Sequence, residues 1–187
     1  MRIAYADPPY LGCCSLYDHD HGSDGRCWDD VETHARLLER LQRDYPDGWA
    51  LSLHEPSLRH ILPLAPEGTR TAAWVKPFAS FKPGVNPAYT WEPVLWLGGR
   101  CRDRSEPTVR DHCIANIALR KGLTGAKPPA FWYWLFDLLG LRAGDEFVDL
   151  FKGTGGGDEA WQRWSAQTRM RLVPGTGQPP QSARKNW

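Results

Sequence analysis

The chain has 187 residues, 41% hydrophobic and 24% charged, with a formal charge of +1. That suffices for one domain with a real core and supplies no global field to gather a polyanion. A mean hydropathy of −0.53 and the lack of any apolar run near the roughly 18 residues of a membrane span argue against a membrane protein. Five cysteines, an odd number, do not make a disulfide framework, so a reducing cytoplasm is the expected compartment.

In chain order, the opening Arg2–Ala6 reads as a strand, too short and too early for a signal peptide. A polar loop follows to about Arg26. A helix is expected from about Asp30 to Asp44, because Val31, Ala35, Leu38 and Leu41 fall on one face. Trp49–Leu53 suits a buried strand, Pro56–Leu62 a short helix and Thr71–Val75 a strand. After a loop from Pro77 to Pro87, Pro93–Leu97 reads as a strand ended by Gly98-Gly99. From Arg100 to Ala126 the pattern weakens into an Arg-rich insertion. Pro128–Leu139 is a helix with prolines at its start and Gly140 at its stop. Glu146–Phe151 then reads as a strand, Gly157–Ala166 as a helix and Thr168–Val173 as a last strand. Residues 174–187 carry no periodicity and are expected to be mobile. Strands alternating with helices indicate a mostly parallel sheet with helices on both faces.

Two motifs carry chemistry. Asp7-Pro8-Pro9-Tyr10 directly follows the first strand, and Asp149-Leu150-Phe151-Lys152-Gly153-Thr154-Gly155 stands between a strand and a helix. Alone, the first is also an ordinary Pro-rich turn. The second is also an ordinary strand-to-helix turn, although such a turn can bring backbone N–H groups to a ligand at a helix N-terminus. Together they resemble the S-adenosylmethionine (SAM)-dependent methyltransferases that modify exocyclic amines of nucleobases. These are the N6-adenine and N4-cytosine enzymes of DNA and their relatives acting on RNA adenine. Ala126-Lys127-Pro128-Pro129 resembles the Lys-Pro element before the SAM motif in that group. Trp74-Val75-Lys76-Pro77 with Trp91-Glu92-Pro93-Val94-Leu95 resembles its strand pair after the catalytic motif. The string from Ala73 to Arg110 is similar to small phage and actinobacterial DNA methyltransferases.

The resemblance implies a Rossmann-like three-layer α-β-α sandwich, circularly permuted, within one domain at 1–173. The catalytic half would span about 1–98, a recognition-like insertion about 99–126 and the SAM-binding half about 127–173. It implies Asp7, Pro8, Pro9 and Tyr10 as catalytic residues. Asp149, Phe151, Gly153, Thr154, Gly155, Lys127 and Pro128 would bind the cofactor SAM. Lys76, Arg100, Arg102, Arg104 and Arg110 would meet the substrate, a nucleic acid, with DNA favoured and RNA possible. A homodimer is possible, and no metal is expected. An amine delocalised into an aromatic ring is a poor nucleophile. Asp7 and the Pro8 carbonyl could accept its two N–H groups and aim its lone pair, on a backbone the prolines stiffen. Tyr10 would stack on the base. With the electrophile already activated, catalysis is mostly orientation and exclusion of water.

The expected last strand, Arg169–Val173, lacks the acid that in this group ends the strand after the SAM loop and holds the ribose. Asp158 and Glu159 are candidates in its place, but acids in a first helical turn also answer the helix dipole. Cys13, Cys14, His19, Asp20, His21 and Cys27 crowd the loop after Asp-Pro-Pro-Tyr. Without a Cys-x-x-Cys pair they read as a mobile loop over the substrate rather than a zinc site. Arg100, Arg102, Arg104, Arg110, Arg120 and Lys121 alternate with Asp103, Glu106 and Asp111. They are either a solvated surface or contacts to phosphates. Of ten tryptophans, Trp132, Trp134, Trp161 and Trp164 read as packing, whereas one of Trp74, Trp91 and Trp96 could stack on a base. Two other readings stay open: the same chemistry on RNA or a small nucleobase-containing molecule, and an inactive SAM-fold subunit.

Overall fold

Ile3 to Ala6 are all buried, as in a central strand covered on both faces. A computed structural model describes residues 1–14, 28–78, 84–118, 126–153 and 155–172, the last four as backbone only. In it, β1 (Arg2–Ala6) pairs in parallel with β2 (Gly48–Ser52) on one side and with the strand Glu146–Asp149 on the other. Between β2 and β3 (Arg70–Val75) runs β4 (Trp91–Gly98), antiparallel to both. The outer strand β5 (His112–Ile114) is parallel to β3. With Glu146–Asp149 as β6, the order is β5-β3-β4-β2-β1-β6. Only β4 is reversed, so the sheet is mostly parallel.

Alternation along β1 divides the core. Ala4 and Ala6 face α1 (Val31–Asp44) and α2 (Glu55–Ile61), where Leu37, Leu38, Leu41 and Ile61 pack with Trp49 and Leu51. Ile3 and Tyr5 face α3 (Pro129–Leu138) and α4 (Gly156–Leu172). The result is a three-layer α/β/α sandwich. Asp30 caps α1 by accepting from the Glu32 N–H at 3.2 Å. Trp161 and Trp164 meet Phe136 edge-on at 5.2 and 5.5 Å between ring centres, and Trp132 stacks on the same ring. Trp134 packs on Phe131. These four tryptophans are packing residues, as expected.

Two elements differ from the sequence reading. β5 lies inside the stretch of weak pattern, because three residues are too few to show a period. Thr168–Val173 is not a strand: α4 continues to Leu172. Gln, Arg, Met and Leu propagate a helix well, and the Thr168 hydroxyl returns its hydrogen to the Trp164 carbonyl at 2.9 Å. The expected ribose-binding acid therefore has no strand end to occupy among the described residues, and 174–187 lie outside them. Among the described residues no helix is long and apolar enough to cross a membrane.

Candidate active site

The pairing of β1 with β6 sets Tyr5 opposite Asp149, so two motifs about 140 residues apart in sequence leave adjacent strands at the same end. This carboxyl end of a parallel sheet is where such folds hold ligands. Pro8 and Pro9 are buried, and Asp7 and Tyr10 are partly open. The backbone thus anchors through its prolines and presents the two polar side chains.

The centre of the site is the ammonium of Lys127. It lies 3.0 Å from Asp7 Oδ2, 3.2 Å from Asp7 Oδ1, 3.1 Å from Tyr10 Oη and 3.0 Å from Glu92 Oε2, with its side chain 4% exposed. Tyr10 donates its hydroxyl to Asp7 Oδ1 at 2.8 Å, and Glu92 Oε2 is 3.3 Å away. The other oxygen of Glu92 accepts from Lys76 Nζ at 2.9 Å. Rings of Tyr10, Trp74 and Phe131 surround Lys127 at 5.3–5.9 Å, close enough for cation–π attraction. Burial raises the pKa of Asp7, with Lys127 opposing the rise and Glu92 adding to it. Burial would raise Glu92 as well, but Lys127 and Lys76 outweigh it and hold Glu92 at about 2. Burial disfavours the Lys127 cation, yet Asp7 and Glu92 more than compensate and its pKa stands well above the ordinary value. The network is two anions and two cations.

Beside it, Asp149 is 4% exposed and accepts the Phe151 N–H at 3.1 Å. Burial, together with the Asp7 and Asp158 charges, pushes it to about 6 despite that hydrogen bond. A Cβ on Gly157 would collide with the Asp149 carboxylate, so α4 can begin against this acid only with glycine there. Gly153 and Gly155 have φ of +46° and +76°, and a Cβ on Gly155 would meet nothing within 4 Å. The loop is open, and glycine is needed there for its backbone angle. Pro128, at the start of α3, is buried; Thr154 lies outside the described residues. A buried acid in no ion pair among the described residues, next to an open glycine loop, suits a ligand carrying an ammonium group. Asp158 and Glu159 are occupied by surface pairs with Lys152 and Arg163.

The residues expected to meet the substrate are placed otherwise. Lys76 is buried and committed to Glu92. Tyr10 has the His54 ring stacked on it at 5.3 Å and 11°. Arg100 follows β4, whose Gly98 pairs with Gly48 at the start of β2; it therefore sits at the opposite end of the sheet, about 16 Å away for strands of this length. Arg100 donates to both oxygens of Asp145 at 2.9 Å and to the Gly140 carbonyl at 3.2 Å. The approach needs Gly99 and Gly140, where a Cβ would strike Leu139 and Arg100 respectively. Arg102 donates to the Asp137 carbonyl at 2.5 Å. Arg104 lines a depression of about 700 Å³ at this far end. Exposed Arg110, whose carbonyl accepts from Trp134 Nε1, precedes β5. The described arginines of the insertion thus lie at the end of the sheet away from Asp7, where they pair with protein groups. Arg120 and Lys121 lie outside the described residues. So do His19, Asp20, His21 and Cys27, and among the described residues no three Cys, His, Asp or Glu side chains converge as a metal site. Of the three strand tryptophans, Trp74 is 1% exposed and Trp96 lies at the far end under Arg70, which leaves Trp91 on the side of the site.

Sequence reasoning assigned no role to Glu92 or His54. The signal for Glu92 was present: it is the one charged residue in the strand Trp-Glu-Pro-Val-Leu-Trp-Leu-Gly. His54 carried no comparable mark.

No protein-family model and no curated protein sequence matches this chain. Solved structures do. M1.HpyAVI in complex with SAM superposes with a TM-score of 0.57 at 16% identity, over 88% of this chain and 78% of that one. TTHA0409 from Thermus thermophilus, provisionally assigned as a DNA modification methylase and also solved with SAM, gives 0.53 at 17% identity, over 88% and 76%. These likenesses establish the fold: a Rossmann-like α/β/α sandwich of the kind those methylases use.

Proposed function

We propose that this chain is a SAM-dependent methyltransferase acting on an exocyclic amine of a nucleobase, with N6 of adenine in DNA preferred to N4 of cytosine. The observation that carries the reading is the shared edge: Asp7 and Tyr10 leave β1 beside the Asp149–Gly155 loop that leaves β6. The chain order, catalytic half before cofactor half, is read as a circular permutation. SAM binding in both structural neighbours supports the cofactor.

SAM supplies, when bound, an electrophilic sulfonium methyl and a neutral thioether leaving group. Asp149 would take the ammonium of its methionine part, and the Phe151–Gly155 backbone, including Thr154, would line it. Lys127 and Pro128 border the same end. Asp7 accepts one N–H of the substrate amine and the Pro8 carbonyl the other, which turns the nitrogen lone pair toward the methyl group. The excess proton on nitrogen passes to Asp7, whose partly buried carboxylate has a raised affinity for it, and thence to water. A base within a duplex must be flipped out to reach this edge.

One observation favours the second reading, a single-stranded, RNA or small nucleobase substrate: the arginines expected to grip phosphates sit at the other end of the sheet. Exposed Phe78 and Tyr89 flank this end instead, and rings of this kind hold unpaired bases by stacking. Transfer of labelled methyl from SAM to duplex DNA, single-stranded DNA, RNA and adenosine, followed over a salt series, tests both. A polyanion held by phosphate contacts loses affinity steeply with salt, and a stacked or small substrate does not.

A further inference from the structure

In this structure Lys127 and Tyr10 already crowd the Asp7 carboxylate, and an incoming amine would find only the second lone pair of Oδ2. Oδ1 accepts from Tyr10 and Lys127, and Oδ2 from Lys127. Both donors already have a second acceptor within reach on Glu92 Oε2, at 3.0 Å for Lys127 and 3.3 Å for Tyr10. Glu92 is held in place by Lys76 on its other oxygen. Moving to Glu92 therefore leaves neither Lys127 nor the Tyr10 hydroxyl unpaired, and the Asp7 carboxylate, 22% exposed, exchanges its cation for the amine N–H.

We propose that Glu92, fixed by Lys76, is a positioning residue that receives Lys127 and the Tyr10 hydroxyl when a substrate amine takes their place on Asp7. The inference rests on the function proposed above and adds an exchange step to it. In the resting arrangement Lys127 keeps Asp7 ionised and covered. In the engaged arrangement the ammonium has shifted toward Glu92, so Asp7 loses a cation and gains affinity for the proton that methylation releases. The charged and titratable groups facing Lys127 are Asp7 and Tyr10 after β1, Tyr5 within β1 and Glu92 on β4, with Lys76 behind Glu92 and His54 on the far face of Tyr10. Binding of substrate is reduced by the fraction of molecules in the resting arrangement.

The test uses the full chain with saturating SAM and whichever nucleic acid the wild type methylates. Glu92→Gln weakens the alternative seat for Lys127. The KM for nucleic acid is expected to rise tenfold or more while kcat stays within about threefold, and the acid limb of the pH–rate profile moves to lower pH because the site gains net positive charge. Lys76→Met makes the opposite charge change and is expected to move that limb to higher pH. A residue that merely supports the fold would lower melting temperature without opposite shifts of the limb. If Glu92→Gln does not fold, Lys76→Met alone decides by the direction of its shift. Unchanged KM in folded Glu92→Gln, or limbs moving the same way in both variants, overturns the exchange while leaving the methyltransferase reading intact. A wild type that methylates no nucleobase overturns both.

Discussion

The two ends of the sheet use the same residue types for opposite purposes. At the amino end, Arg100 closes on Asp145 and Gly140, Arg102 on the Asp137 carbonyl and Arg2 on Glu146. Charge there staples loops to strands. At the carboxyl end, Asp7, Glu92, Lys76 and Lys127 form a neutral set of four in which one cation serves two acids, and Asp149 stands beside them, in no ion pair among the described residues and with Lys152 acting on it only weakly. Asp145 also takes two cations, the Met1 ammonium and Arg100, but both tie backbone segments together at the end away from the glycine loop. At the carboxyl end the shared cation stands between Asp7 and Glu92 beside that loop, where a ligand can redistribute it.

The largest break in this contrast is Asp7→Ala. Methyl transfer is expected to fall about a hundred- to thousandfold, the usual cost of losing one aligned polar group in a reacting centre. Lys127 keeps Glu92 and Tyr10, so melting temperature and SAM affinity by calorimetry should change little.

Asp149→Asn sharpens the contrast through pH. The Asp149 pKa of about 6 lies above the ordinary carboxylate value, so the folded state keeps a proton that the unfolded chain gives up near pH 4. Stability therefore falls as pH rises from about 4 to 6, and the penalty is complete above 6. Removing the charge should stabilise the ligand-free protein at pH 7.5 by about 3 kcal/mol, measured by urea unfolding, and weaken SAM binding at the same time. Stability and affinity moving in opposite directions would mark a ligand-seeking acid.

Arg100→Ala tests the other end. Loss of a partly buried charge-assisted pair should cost about 1–3 kcal/mol with KM for the nucleic acid unchanged, read from unfolding curves and steady-state kinetics. The smallest effect is expected from Arg104→Glu on the exposed turn: stability within about 0.5 kcal/mol of wild type and unaltered salt dependence of methylation.

What the sequence disclosed follows the same division. Asp7 to Tyr10 and Asp149 to Gly155 were legible because each is contiguous and ends a strand. β1, α1, β3 and α3 were legible because their apolar pattern or caps are local. Glu92 and Lys76 were not assigned to the catalytic network, because their roles exist only once β3 and β4 bring them beside Lys127. That Arg100, Arg102 and Arg104 lie away from Asp7 was not legible either. β4 runs against its neighbours, so the chain leaves it at the far end, and a run of apolar residues carries no mark of the direction its strand will take.

The central claim is that the carboxyl-end network presents a nucleobase amine to SAM. Its most direct measurement is transfer of labelled methyl from SAM to single-stranded and duplex DNA, with digestion to nucleosides, for the wild type and Asp7→Ala side by side. The account predicts label in N6-methyladenine for the wild type, formed about a hundred- to thousandfold more slowly by Asp7→Ala. Label formed by a folded Asp7→Ala at a rate near the wild type's, or label on a ring carbon instead of an exocyclic nitrogen, would contradict it.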